Sequence, residues 1–352
     1  MASLLNGPAT PAPNGTESNL DNPPNGNYIA IPIISVCVVV TVLSYALRFY
    51  AKYLLKSINV ADYLTIIAFP LYWAYIYYSY RLSWTPGYLV HEWDIRLKDM
   101  AAFSYICWIA TILYLFIVAL VKCAILSEWT NLFFPKGTRN WLTYIWWTSG
   151  ALISSLSFIL FVLDLVNCTP FSGNWDPLAQ GRYCRFSVPA FSVASAATNL
   201  GLELIPLTIA QKVIWSMHLT WKKRLGVSVI FLISIVGCVS STVRLYYSTR
   251  FYTSSDSSYY FSILALCTLC ETTCANLVLC VPSVPKVVRG LMQSRVFKRL
   301  RSRFTRTNAS NTTDNSKDTG LSSKLQPDWF MMGARGKPDK TTYTKDVYHE
   351  IV

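Results

Sequence analysis

Charge is scarce in this sequence. Charged residues make up 14% of the 352 positions and apolar residues 53%, where a soluble domain averages roughly 25% charged. That shortage excludes a chain whose main solvent is water. Histidine is also rare: His91, His218 and His349 are the whole complement, and none falls in a long apolar run. A histidine-based intramembrane metal site is thereby excluded. The first 27 residues contain neither Lys nor Arg and no apolar core of the signal-peptide kind, so the first apolar run is expected to do the targeting. No phosphate loop, nucleophile elbow or metal motif is present, which argues against soluble-enzyme chemistry and gives no reason to expect a cofactor.

What is abundant is long apolar sequence. A helix needs about 20 mainly apolar residues to cross a hydrocarbon core roughly 30 Å thick. Seven stretches qualify, near Tyr28 to Tyr50, Ala61 to Tyr80, Ala101 to Leu126, Trp141 to Val166, Ser187 to Gln211, Leu225 to Tyr247 and Tyr259 to Val281. Lipid offers no partner to an open backbone, so each run is predicted to be helical. The fold class is therefore all-α, a polytopic bundle of seven transmembrane helices. Residues 1–27 read as a disordered lumenal segment, 28–285 as the membrane domain, 286–306 as a basic juxtamembrane segment and 307–352 as a disordered tail.

Basic residues orient the bundle. Arg48, Lys52, Lys56, Lys136, Arg139, Lys212, Lys222, Lys223 and Arg224 flank one set of helix ends, and a run from Lys286 to Arg306 continues on that side. The other side holds only Arg81, Arg96, Lys98, Arg182, Arg185 and Arg250. The C-terminus is accordingly cytoplasmic and the N-terminus outside or lumenal. Asn14-Gly15-Thr16 agrees, being a glycosylation acceptor that works only in the lumen. The cysteines agree as well. Eight of the 10 lie inside predicted helices, whereas Cys168 and Cys184 share a loop on the oxidising side and are predicted to form a disulfide.

That loop reads Cys168-Thr169-Pro170, then Trp175-Asp176-Pro177, Gly181 and Cys184. It resembles the fungal rhodopsin-domain family of integral membrane proteins, and the resemblance continues through most of the membrane domain. Gly87, His91 and Trp93-Asp94 follow helix two, Ala119-Leu120-Val121-Lys122 lies in helix three, and Asn199 with Glu203 lies in helix five. Helix six contributes Cys238 to Leu245, including Arg244, and helix seven Glu271 and Cys280-Val281-Pro282-Ser283. Glu203 stands where the family usually has Asp, and Thr273 where Asn is usual. The family includes receptor-like proteins and membrane proteins of biosynthetic clusters for fungal secondary metabolites, such as the satratoxin cluster. Despite the family name, helix seven contains no lysine for a retinal Schiff base.

Lys122, Glu203, Arg244 and Glu271 are ionisable residues well inside the predicted spans. Each costs about 2.5 to 3.5 kcal/mol at the bilayer centre, so such groups face the bundle interior and find partners. From depth alone, Lys122 is matched with Glu203 or Glu271, and Arg244 with Asp164. Glu271, the most central acid, is the preferred candidate for chemistry, with Glu203 second: an intramembrane acid can protonate an alkene or epoxide, or couple a proton to transport. Cys267, Cys270 and Cys274 surround Glu271 at helical spacing and are read as packing rather than as metal ligands. His91, Trp93, Asp94, Trp175 and Asp176 are candidates for a folded outer loop or lid.

Apolar and basic residues interleave from Lys286 to Arg306, the pattern of a helix lying on anionic lipid head groups. The partners expected are thus the bilayer, anionic head groups and an apolar small molecule, and not nucleic acid. Two functions compete. One is an accessory or single-step protein of fungal secondary metabolite biosynthesis that handles an apolar intermediate. The other is a receptor-like seven-helix sensor of an extracellular small molecule. A transporter ranks third, because seven helices show no inverted repeat.

Overall fold

The computed structural model describes residues 5–55, 58–133, 141–216 and 221–284. The basic segment 286–306 and the tail 307–352 lie outside the described residues. Seven long helices dominate: α1 (Asn27–Leu55), α2 (Val60–Leu82), α3 (Leu97–Phe133), α4 (Trp141–Leu165), α5 (Val188–Ser216), α6 (Trp221–Thr253) and α7 (Ser257–Cys280). All seven are long and apolar enough to cross a membrane.

Several helices overrun the apolar windows read from sequence. α3 begins at Leu97 rather than Ala101 and runs to Phe133, and α6 continues to Thr253. Propagation adds one backbone bond per residue fixed, so a formed helix continues past its apolar stretch until a turn signal stops it.

Burial separates central helices from peripheral ones. Half of the most apolar window is buried in α3 and in α7, against 22% in α4, α5 and α6. α7 packs against α1, α3 and α6, and α3 against α2, α4 and α7. Facing outward are apolar stripes such as Val36, Val39 and Leu43 on α1 and Leu232, Val236, Val239 and Val243 on α6, all exposed. Spacings of three and four residues place each stripe on one helix face. Exposed apolar surface of that extent belongs in lipid.

The N-terminal segment corrects an expectation. Its composition of Asn, Pro and Gly predicts disorder, yet residues 7–27 lie against the loop between α2 and α3. The Leu97 amide donates to Gly7 O at 3.0 Å, Ala9 to Ile95 O at 2.9 Å and Gly26 to Tyr88 O at 2.7 Å. The Asn19 amide donates to Asp94 Oδ1 at 2.8 Å, and Asn27 bridges Ser83 O and the Tyr88 amide. Order here comes from satisfying the loop's backbone groups, which composition does not report. Gly87 turns this loop at φ +129°, and a side chain there would crowd Asn25.

Candidate functional site

Lys122, Glu203, Arg244 and Glu271 belong to one chain of hydrogen bonds and ion pairs. Arg244 Nη1 of α6 donates to the Tyr114 hydroxyl of α3 at 2.5 Å, and that hydroxyl donates to Glu271 Oε1 of α7 at 2.8 Å. Arg244 also lies 3.5 Å from Glu271 Oε2 and donates to Ser195 Oγ of α5 at 3.0 Å. Asn199 Nδ2 donates to Glu271 Oε1 at 2.6 Å. Its own Oδ1 accepts from Lys122 Nζ, again at 2.6 Å. Lys122 then faces Glu203 Oε1 at 3.7 Å, and Ser241 Oγ donates to Glu203 Oε2 at 2.6 Å.

Two cations and two carboxylates thus alternate on α3, α5, α6 and α7, with Tyr114 and Asn199 bridging between them. Balanced charge with nearly every polar atom engaged is the condition under which such groups are tolerated away from water. Local sequence places them: Asn199 and Glu203 are four residues apart on α5, Ser241 and Arg244 three apart on α6, so each pair shares a face.

This chain floors a cavity of about 320 Å³ in the outer half of the bundle. Tyr75, Tyr78, Phe103, Trp108, Phe261 and Leu264 supply much of its apolar wall, and Tyr114, Ser195, Arg244 and Asp164 its polar groups. At its other end the chain borders a smaller cavity of about 80 Å³, lined by Lys122, Glu203, Glu271, Trp129, Cys238 and Cys274.

A short hairpin roofs the outer cavity. β1 (Cys168–Thr169) pairs antiparallel with β2 (Tyr183–Cys184), and the expected disulfide joins Cys168 to Cys184. The Arg182 Nε donates to Gly173 O at 2.8 Å, and Asn174 Nδ2 to Leu165 O at 3.2 Å, fixing the intervening turn. Trp175 is thereby set against Trp108 and Tyr105, with ring centroids 5.0 and 5.7 Å away. Asp176 instead accepts the Leu178 amide at 2.9 Å in the turn itself.

The loop after α2 forms a second part of the roof. His91 lies between Trp93 and Tyr259, with centroids at 4.3 and 4.7 Å, and its Nδ1 is 2.5 Å from Asp256 Oδ2. The Glu92 amide donates to Asp256 Oδ1, and Glu92 Oε2 accepts the Ser257 amide at 2.8 Å. Burial pushes the Glu92 carboxyl above its usual range, and the Ser257 amide opposes that shift. Asn14, the expected glycosylation acceptor, is exposed in a turn of the N-terminal segment.

Three departures from sequence reasoning stand out. Arg244 pairs with Glu271, not with Asp164. Because α6 extends to Thr253, Arg244 lies about 14 Å from the helix end at 1.5 Å per residue, deeper than the apolar window implied. Tyr114 has only a weak signal in sequence, its position two turns from Lys122 on α3. A second ionic cluster was missed at the inner end: Arg48 is 1% exposed and contacts Asp62 Oδ1 at 2.8 Å, Glu128 Oε2 at 3.2 Å and Leu279 O at 2.9 Å, while Lys52 lies 2.9 Å from Asp62 Oδ2. In sequence, Arg48 and Lys52 carry only a topology signal. Among the described residues no group of three His, Cys, Asp or Glu is arranged to hold a metal ion.

Seven spanning helices, an apolar outer surface and a disulfide-bonded outer loop define a multi-pass integral membrane protein embedded in a lipid bilayer. Residues 47–290 match the model of the fungal rhodopsin domain, and the chain belongs to that family. It is 34% identical to "Fugralins biosynthesis cluster protein 2" of Gibberella zeae over 96% of its own length and 86% of the relative's. It is 25% identical to a "SAT4 family membrane protein" of Emericella nidulans, covering 66% of this chain and 56% of that one. It is 23% identical to "Polyenoic acids biosynthesis gene cluster protein Ba17b" of Metarhizium anisopliae, covering 68% and 67%. No solved structure matches.

Proposed function

We propose that this protein serves fungal secondary metabolite biosynthesis by holding an apolar intermediate in the outer cavity. The observation that carries the reading is the cavity itself: about 320 Å³ of largely aromatic and aliphatic wall over a floor of Tyr114, Ser195 and Arg244. Small-molecule sites have that character, an apolar body with a few fixed polar groups. Support for the biological context comes from the relatives, two of which are named as biosynthesis-cluster proteins.

Glu271 and Glu203 are candidate acids by sequence, but their surroundings suit acceptors. Glu271 faces a phenol, an amide NH₂ and a guanidinium, and Glu203 an ammonium and a hydroxyl. We therefore assign Glu271 to holding Arg244 and Tyr114 in place beneath the ligand, a positioning role. The disulfide-bonded loop, with Tyr88 and Glu92 of the loop after α2, acts as the cavity's roof.

The experiment is metabolite profiling of the native host carrying wild type, a deletion, Ala110→Phe to fill the cavity, and Glu271→Gln, with membrane abundance checked. Accumulation of one intermediate in the deletion and in Ala110→Phe is expected. Unchanged profiles, together with an altered transcriptional response, would instead favour a sensor of small molecules built on the same cavity.

A further inference from the structure

We infer that Asp164 is the residue by which the outer cavity recognises its ligand, an apolar molecule that presents a hydrogen-bond donor to this carboxyl group. The inference rests on the reading of the outer cavity as the ligand site and adds what the ligand must carry.

Asp164 occupies the last turn of α4, is 9% exposed and lines the cavity. Its Oδ2 is buried without a hydrogen-bond partner, and no ion pair among the described residues includes it. The other buried acids are matched. Asp62 and Glu128 have Arg48 and Lys52, Glu271 has Arg244, Tyr114 and Asn199, Asp94 has the Asn19 amide, and Asp256 has His91 and the Glu92 amide.

The nearest explanation, a bond to Arg244 across the cavity, is closed off because that guanidinium is committed to Tyr114, Glu271 and Ser195. A buried polar group without a partner costs free energy, and supplying the partner recovers it. The same wall carries an orphan of the opposite kind, Trp108 Nε1, also buried without a partner. A hydroxyl on the ligand can donate to Asp164 and accept from Trp108, whereas an ammonium can answer Asp164 alone.

The test uses the full chain in its native host. Asp164→Leu and Asp164→Asn are profiled beside wild type and deletion, with membrane abundance and the thermal stability of the solubilised protein measured in parallel. Leucine replaces a carboxyl that has no protein partner, so Asp164→Leu is expected to reach at least wild-type abundance and thermal stability. Its metabolite profile is nevertheless expected to match the deletion.

Asp164→Asn separates the two sources of the donor. Asparagine still accepts from a hydroxyl but offers no charge to an ammonium, so a retained profile identifies a neutral donor and a lost profile a cation. A wild-type profile in Asp164→Leu, beside an altered deletion, overturns the inference and leaves the cavity reading intact. Failure of both variants to accumulate also overturns it, because the carboxyl would then belong to the fold. A deletion with a normal profile removes the cavity reading and this inference together.

Discussion

Arg244 on α6 and Glu271 on α7 face each other at 3.5 Å across the middle of the bundle, with the Tyr114 hydroxyl bonded to both. The phenol accepts from the guanidinium and donates to the carboxylate, so its one hydrogen has a single available direction. The arrangement holds α3, α6 and α7 at a fixed register beneath the outer cavity.

Breaking this triad from one side leaves an uncompensated buried charge, a loss of about 3 to 5 kcal/mol. Glu271→Leu is therefore expected to lower the unfolding temperature of the solubilised protein sharply. The double variant Glu271→Leu with Arg244→Leu is expected to recover part of the loss. Additive destabilisation in the double variant, the sum of the two single losses, would show that the two residues do not act as a pair.

The inner cluster makes a comparable prediction from a different geometry. Arg48 holds Asp62 and Glu128 together, and Arg48→Leu leaves those acids with Lys52 alone. A loss of about 3 to 5 kcal/mol is expected, read as reduced membrane abundance and a lower unfolding temperature. Lys52→Leu, which leaves Arg48 in place, should cost less.

The Cys168–Cys184 bridge closes a loop with a sequence separation of 16, and removing such a link costs about 2 to 4 kcal/mol. Cys184→Ser is expected to unfold at lower temperature than wild type and to show no further response to a thiol reductant. Wild type treated with reductant should fall to the same value.

Glu92 gives a pH prediction outside the spans. Its folded-state value is raised above the ordinary 4.5, chiefly by burial. A carboxyl with a raised folded value binds its proton more tightly in the native state, so its favourable contribution is present below the unfolded value and disappears as pH rises through the folded one. Glu92→Gln should accordingly become more stable relative to wild type as pH rises from about 4.5 to neutrality, followed by thermal unfolding across that range.

Asn14 should carry a single N-linked glycan in the native host. Loss of a glycosidase-sensitive mobility shift in Asn14→Gln checks this, and with it the lumenal placement of the N-terminus.

The sequence carried the seven helices and the disulfide, because hydrophobic length and two cysteines sharing one loop are each written locally. The acids and bases of the polar chain were also visible, since a charge in an apolar run has no ordinary reason to be there. Pairing was harder. Matching Arg244 to Asp164 depended on where α6 ends, and helix ends beyond the hydrocarbon region are set by turns rather than by hydropathy. Uncharged linkers such as Tyr114 and Ser195 are common in membrane helices and carry no signal alone. Arg48 failed for a different reason: near a helix end, a topology charge and a buried ion-pair partner look identical until a neighbouring helix supplies Asp62 and Glu128.

The bond from Arg48 to the Leu279 carbonyl joins the first helix to the last. During biosynthesis the membrane receives α1 long before α7 exists, so Arg48 waits with one of its acceptors still unsynthesised. Completion of the inner cluster is therefore a late event, after the seventh segment has left the translocon. A chain stopped short of residue 279 leaves Arg48 without that acceptor.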